Sequence, residues 1–139
     1  VKIFPYKNID IFPCGLSDKN KDGTPIRLNS YAPGFNIFAA EMNNIRLPLR
    51  TIDYLVDSGE IEKINFLKLD VEGSEMATLR GARNSIDRFK PKLAISIYHK
   101  PDDFFEIINY IKENHKYYKL YVDHYTVHRE ETVVYGLPY

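Results

Sequence analysis

Apolar and polar positions change period several times along the chain, and the clearest change falls over residues 64–89. Ile64, Phe66, Leu67 and Leu69 form a short apolar run, which predicts a strand covered on both faces of a parallel sheet. Gly73 interrupts that pattern. Beyond it, Met76, Leu79, Ala82, Ile86 and Phe89 recur at three- and four-residue spacing, which predicts one helix with a single apolar face. Ser74 is placed to cap this helix by accepting a backbone N–H, and Glu75 falls in its first turn, where the helix dipole favours negative charge. Asp70 then stands at the carboxyl end of a central strand, the place where open α/β sheets bind ligands.

The same reading extends to both sides. Upstream, Asn8–Pro13 alternates as a short strand, Gly15–Asp18 is the loop at its carboxyl end, and Asp22-Gly23 signals a hairpin turn. Thr24–Asn29 and Asn44–Leu49 predict two strands that pair with each other, separated by a loop over Ser30–Asn36. Thr51 is a helix cap for Ile52–Val56, which ends near Ser58-Gly59. Downstream, Lys92–Tyr98 is an almost wholly apolar strand ending in His99-Lys100-Pro101. Asp102 or Asp103 caps a helix with Phe104, Ile107, Ile108 and Ile111 facing inward, and Lys112, His115 and Lys116 suit its C-terminus. Tyr117–Val122 and Thr132–Tyr135 are the last strands, joined by a polar loop over Asp123–Glu131. The order β–α–β–α–β–β from residue 62 onward predicts an α/β fold.

Composition narrows the function classes. The 139 residues suit one modest domain, read as a strand and hairpin region over 1–60 and a βαβαββ half over 61–139. Nineteen Lys and Arg balance nineteen Asp and Glu, so no charge excess points to nucleic acid or to an anionic membrane. Cys14 is the single cysteine, which rules out an internal disulfide, suits a reducing, cytoplasmic setting and reads as a small buried side chain. No run is long enough to span a bilayer, and the N-terminus has no secretory leader pattern. A start at Val1, directly into strand-like sequence, suggests a piece of a longer protein.

Two neighbouring strands deliver chemistry at their carboxyl ends: Asp70 and Glu72 from one, His99 and Lys100 from the next. A βαβ connection makes those strands sheet neighbours, so the four side chains can converge in one crevice. Asp70, Glu72, Glu75 and His99 also have the donor types of a divalent metal site. Nothing in their spacing imposes a coordination geometry, and the sequence reading assigns no metal. His115, His124 and His128 fall in helix-end and loop contexts that predict solvated side chains.

The run Ile64-Asn-Phe-Leu-Lys-Leu-Asp-Val-Glu-Gly-Ser-Glu75, followed by Leu79-Arg-Gly-Ala82, resembles the signature of FkbM-like S-adenosylmethionine-dependent methyltransferases. Cys14–Asp18, Leu49–Leu55, Leu93–Pro101, His124–Thr126 and Glu131–Tyr135 extend the likeness over nearly the whole chain. The resemblance implies a Rossmann-like class I methyltransferase fold with an antiparallel C-terminal strand. It implies S-adenosylmethionine as cofactor, with Ser17 and Asp18 near the adenine and Asp70 near the methionine end. Asp70, Glu72 and His99 become the candidate catalytic residues on the acceptor side, and the acceptor a sugar or other small-molecule hydroxyl.

One departure matters. The family's glycine-rich loop and its ribose-gripping acidic residue have no counterpart, and no G-x-G-x-x-G-like run exists in the chain. The chain is therefore expected to hold a partial, N-terminally incomplete methyltransferase domain, inactive alone. Its sheet would run Ile64–Leu69, Leu93–Tyr98, the C-terminal strand, then Tyr117–Val122. The free edge beside Ile64–Leu69 would lead residues 1–60 to re-pair locally, or the chain to form a homodimer. The rival readings are a non-catalytic scaffold or interaction domain and a metal-dependent hydrolase.

Overall fold

A computed structural model of the chain describes residues 8–25, 46–128 and 130–139. The first elements are β1 (Gly15–Leu16), β2 (Lys21–Pro25), β3 (Arg46–Arg50) and α1 (Ile52–Asp57). Then come β4 (Phe66–Leu69), α2 (Glu75–Arg80), α3 (Arg83–Phe89) and β5 (Lys92–Ser96). The chain closes with α4 (Asp103–Asn114), β6 (Tyr118–His124) and β7 (Thr132–Pro138). These form a three-stranded sheet in the order β1-β3-β2 and a four-stranded sheet in the order β4-β5-β7-β6. The second sheet has the expected order. β4 runs parallel to β5 with Leu69 opposite Ile95, while β7 is antiparallel to both β5 and β6.

Several local readings change. Among the described residues β4 is an edge strand, as the expected sheet order implies and the apolar run does not, and only Leu67 and Leu69 are buried while Phe66 and Lys68 face out. A strand with one free edge and one open face alternates instead of burying every residue. The segment 8–13 is not a strand: Ile9 and Ile11 are exposed, and β1 starts only at Gly15. Asp22-Gly23 lies inside β2 and is not a hairpin turn. The ladder to β3 slips there between Lys21 and Thr24, and Gly23 takes a φ of 64°, the conformation a bulge needs. The expected pairing of this strand with the one after residue 44 holds where described and is antiparallel, with Thr24 opposite Leu47. The loop over Ser30–Asn36 lies outside the described residues.

The predicted helix over residues 74–89 is two helices. Its apolar face continues across the break, since Leu79, Ala82 and Ile86 are all fully buried. Ser74 makes no side-chain cap; the cap that matters is borrowed for α3. Asp53 of α1 accepts from the backbone N–H groups of Asn84 and Ser85 (3.1 and 2.8 Å) and from the Ser85 hydroxyl (2.7 Å). It supplies the acceptors that a new helix start demands. The break sits at Gly81 because the chain before α1 crosses there: a Cβ at Gly81 would lie 2.1 Å from the Ser17 carbonyl oxygen. Thr51 caps α1 as expected, accepting from Tyr54 N–H at 2.9 Å.

One apolar cluster ties β4, β5 and β7 to the helices, with Leu69, Ile95 and Val134 meeting Leu79, Ile107 and Ile111. Phe104, expected to face inward on α4, is 40% exposed. His115, expected in solvent, is fully buried where α4 ends: its Nδ1 is 2.8 Å from Asp87 Oδ1, which also accepts from the Tyr117 hydroxyl (2.7 Å). A groove of about 460 Å³ runs beside β4, lined by Phe12, Cys14, Leu16, Leu55 and residues 63–67 among others. It is apolar, and neither Asp70 nor His99 lines it.

Candidate active site

The parallel pairing of β4 with β5 places Asp70, one residue past Leu69, level with Ser96 and close to the segment Ile97–Lys100 beyond β5. Asp70 Oδ1 accepts from the Tyr98 hydroxyl (3.2 Å) and Oδ2 from Lys68 Nζ (3.0 Å). Burial pushes this carboxyl up, but hydrogen bonds from Lys68 and Ser96, the Lys68 charge and the Tyr98 hydroxyl outweigh it and hold the group below the usual carboxylate value. The Tyr98 phenol is pushed up to about 12 by burial and by the Asp70 charge, so it stays a donor at neutral pH.

After Asp70 the chain turns sharply. Ser74 N–H donates to Val71 carbonyl oxygen (3.2 Å), with Glu72 at φ 51° and Gly73 at φ 91° between them. Positive φ at both central positions resembles a type I′ turn, easy for Gly73 but strained by roughly 1 kcal/mol for Glu72. Gly73 also lies under Lys100, whose Cε would be 3.2 Å from an added Cβ. The turn throws the Glu72 side chain outward and Glu75 inward. Glu75 is fully buried, and its Oε1 accepts from Val71 N–H at 2.9 Å.

His99 reaches this crevice from the end of β5 and stacks at a tilt on Tyr98, with ring centroids 4.2 Å apart. Its Nδ1 is 2.8 Å from Glu75 Oε1, and its Nε2 is 3.7 Å from both Asp70 Oδ1 and Glu72 Oε2. Asp70, Glu72 and His99 are thus brought together. Lys100 borders them through Gly73, its backbone N–H tied to Asp103 Oδ2 (2.8 Å).

Ser17 and Asp18 lie elsewhere. Ser17 N–H donates to Arg50 carbonyl oxygen (3.0 Å), its hydroxyl to Asp18 (3.2 Å), and its own carbonyl packs on Gly81. That is the far end of α2 from Glu75, about 9 Å along the helix. Sequence reasoning passed over Tyr98, Ser96 and Lys68 as partners of Asp70. The available signal was their position at paired strand ends, since β-strand alternation puts Lys68 and Asp70 on one face. The burial of Glu75 had no sequence signal beyond its place in the first turn.

The chain thus has a mixed α/β fold with carboxylates and an imidazole gathered at parallel strand ends. Residues 7–119 match the model of the methyltransferase FkbM domain, and the chain belongs to that family. Its structure is similar to that of methyltransferase FkbM from Methylobacillus flagellatus KT, at 31% sequence identity and a TM-score of 0.66. That match covers 89% of this chain and 27% of the other, so the chain spans little more than a quarter of that relative's length. No curated protein matches it.

Proposed function

We propose that the chain is part of an S-adenosylmethionine-dependent methyltransferase of the Rossmann-like class I type, acting on a hydroxyl of a sugar or other small molecule. The observation that supports this most is the convergence of Asp70, Glu72 and His99 where β4 and β5 end. S-adenosylmethionine, when bound, supplies the electrophilic methyl group. The chain's own residues fit that cofactor in part: half-buried Ser17 and exposed Asp18 offer a polar pair, Asp70 an ionised carboxylate, but the sequence has no glycine-rich turn. For that reason the chain alone is expected to turn over no substrate.

On the acceptor side, Asp70 is the group that orients a hydroxyl. Tyr98 and Lys68 each use one lone pair of an Asp70 oxygen and leave others for the acceptor. His99 and Asp70 stand close enough to the same point to carry off the hydroxyl proton. Most of the rate would come from holding the acceptor oxygen in line with the methyl carbon. The edge of β4, unpaired among the described residues and with Phe66 57% exposed, is the surface for a homodimer in this reading.

The test is an amide NMR titration of the chain with S-adenosylhomocysteine. Saturable shifts at Ser17, Asp18 and residues 70–75, with a Kd near ~1 mM or tighter (about −4 kcal/mol), are expected. Shifts confined to other residues, or none, refute the cofactor placement.

A further inference from the structure

We propose that Asp70, Glu75 and His99 form a binding site for one divalent first-row metal ion. The three residues offer donor atoms that all lie within 4.8 Å of one another. Ligands on opposite sides of such an ion stand roughly 4.2 Å apart, twice a metal–ligand distance of about 2.1 Å. Ligands at right angles on such an ion stand about 3 Å apart, so closing the three onto one ion takes side-chain shifts of about 1 Å.

The second observation is Glu75. It is wholly buried, and its Oε2 has no hydrogen-bond partner among the described residues. His99 Nδ1 is near it at 2.8 Å from Oε1, yet is not aligned for a hydrogen bond. A buried carboxylate left with an unused oxygen is costly. A cation removes that cost by taking lone pairs from carboxylate and imidazole together, without needing an N–H to point anywhere. The surrounding bonds are those that orient metal ligands: Val71 N–H holds Glu75, while Tyr98 and Lys68 hold Asp70.

Two carboxylates and one imidazole, with no thiolate, suit Mn²⁺, Co²⁺ or Zn²⁺ better than a soft ion. The site rests on this geometry and does not require the methyl-transfer reading. If that reading holds, the ion would lower the pKa of an acceptor hydroxyl bound to it, and Asp70 and His99 would serve as its ligands in place of accepting the proton themselves.

The experiment is Mn²⁺ binding to the 139-residue chain, followed by electron paramagnetic resonance with pulsed detection of nitrogen coupling. One Mn²⁺ per chain is expected, with a directly coupled imidazole nitrogen. His99→Gln should abolish the nitrogen coupling, and Asp70→Asn should weaken binding about tenfold or more, as loss of even an outer-shell partner does. Both side chains reach the surface, so these variants avoid the folding risk of changing Glu75, and circular dichroism checks each fold. Glu113→Gln, on the exposed side of α4, should change nothing. No binding at millimolar Mn²⁺, a bound ion without nitrogen coupling, or binding equally strong in both variants would overturn the site.

Discussion

Replacing Gly81 by alanine separates local from tertiary reasoning, because the two predict opposite signs. Gly81 has helical geometry, φ −75° and ψ −4°, at the end of α2. Local propensity alone says Gly81→Ala should stabilise by up to ~1 kcal/mol. The added Cβ, however, would stand 2.1 Å from the Ser17 carbonyl oxygen and 3.2 Å from Thr51 Cβ. Real Cβ contacts do not fall under 3.0 Å, so backbone must separate by about 1 Å. The oxygen belongs to main chain held by Ser17 N–H to Arg50 carbonyl (3.0 Å), and Gly81 carbonyl itself receives Asp53 N–H (2.9 Å). Overpacking of this kind costs about 1–3 kcal/mol, and loosening each of two hydrogen bonds about 1 kcal/mol more. Against the propensity gain, the net expectation is a loss of roughly 2 kcal/mol at the least. Urea unfolding followed by far-UV circular dichroism should show a lower midpoint at unchanged slope, and the Tm should drop by roughly 6–10 °C. An unchanged or raised midpoint would refute the claim that crossing main chain, and not helix propensity, dictates glycine here.

Other consequences are testable alongside. Asp70 and Asp87 are both held below the usual carboxylate value, in each case against burial: by Lys68, Ser96 and Tyr98 for the first, by Tyr117 and His115 for the second. Their ionised forms favour the fold, so this stability is fully present above an unfolded pKa of about 3.9 and is lost as pH falls through the depressed folded values. Asp70→Asn combined with Asp87→Asn should flatten the acid limb of a stability-against-pH curve; an unchanged limb would contradict the assignment. Tyr98, raised to about 12, favours the fold below the ordinary tyrosine value of about 10, and that contribution disappears as pH rises through 12. Tyr98→Phe should remove one of several late phenols from an ultraviolet titration and move the Asp70 carboxyl upward by NMR; no movement would mean that the 3.2 Å bond is not formed in solution. For the β4 edge, light scattering should show a dimer that Phe66→Lys converts to monomer, whereas a monomeric parent chain would end that proposal.

By itself, the sequence determined the alternation of strands and helices after residue 62, except for the helix that splits in two, and the meeting of Asp70 with His99; the strand order of the larger sheet was implied only by the family resemblance. Periodicity and the βαβ rule are local statements about which face is apolar and which strand comes next, and they need no distant partner. The family signature at Ile64–Glu75 and Leu79–Ala82 was legible for the same reason, as a contiguous run. Tertiary structure alone decided the rest. Asp53 lies 31 residues from Asn84, so no window reveals that it caps α3 and splits the helix. The burial of His115 depends on Asp87, 28 residues away, and the burial of Glu75 on a turn with two positive φ values. Strand 8–13 failed because a strand is stable only with a neighbour, and pairing is a property of the whole sheet that no single stretch encodes.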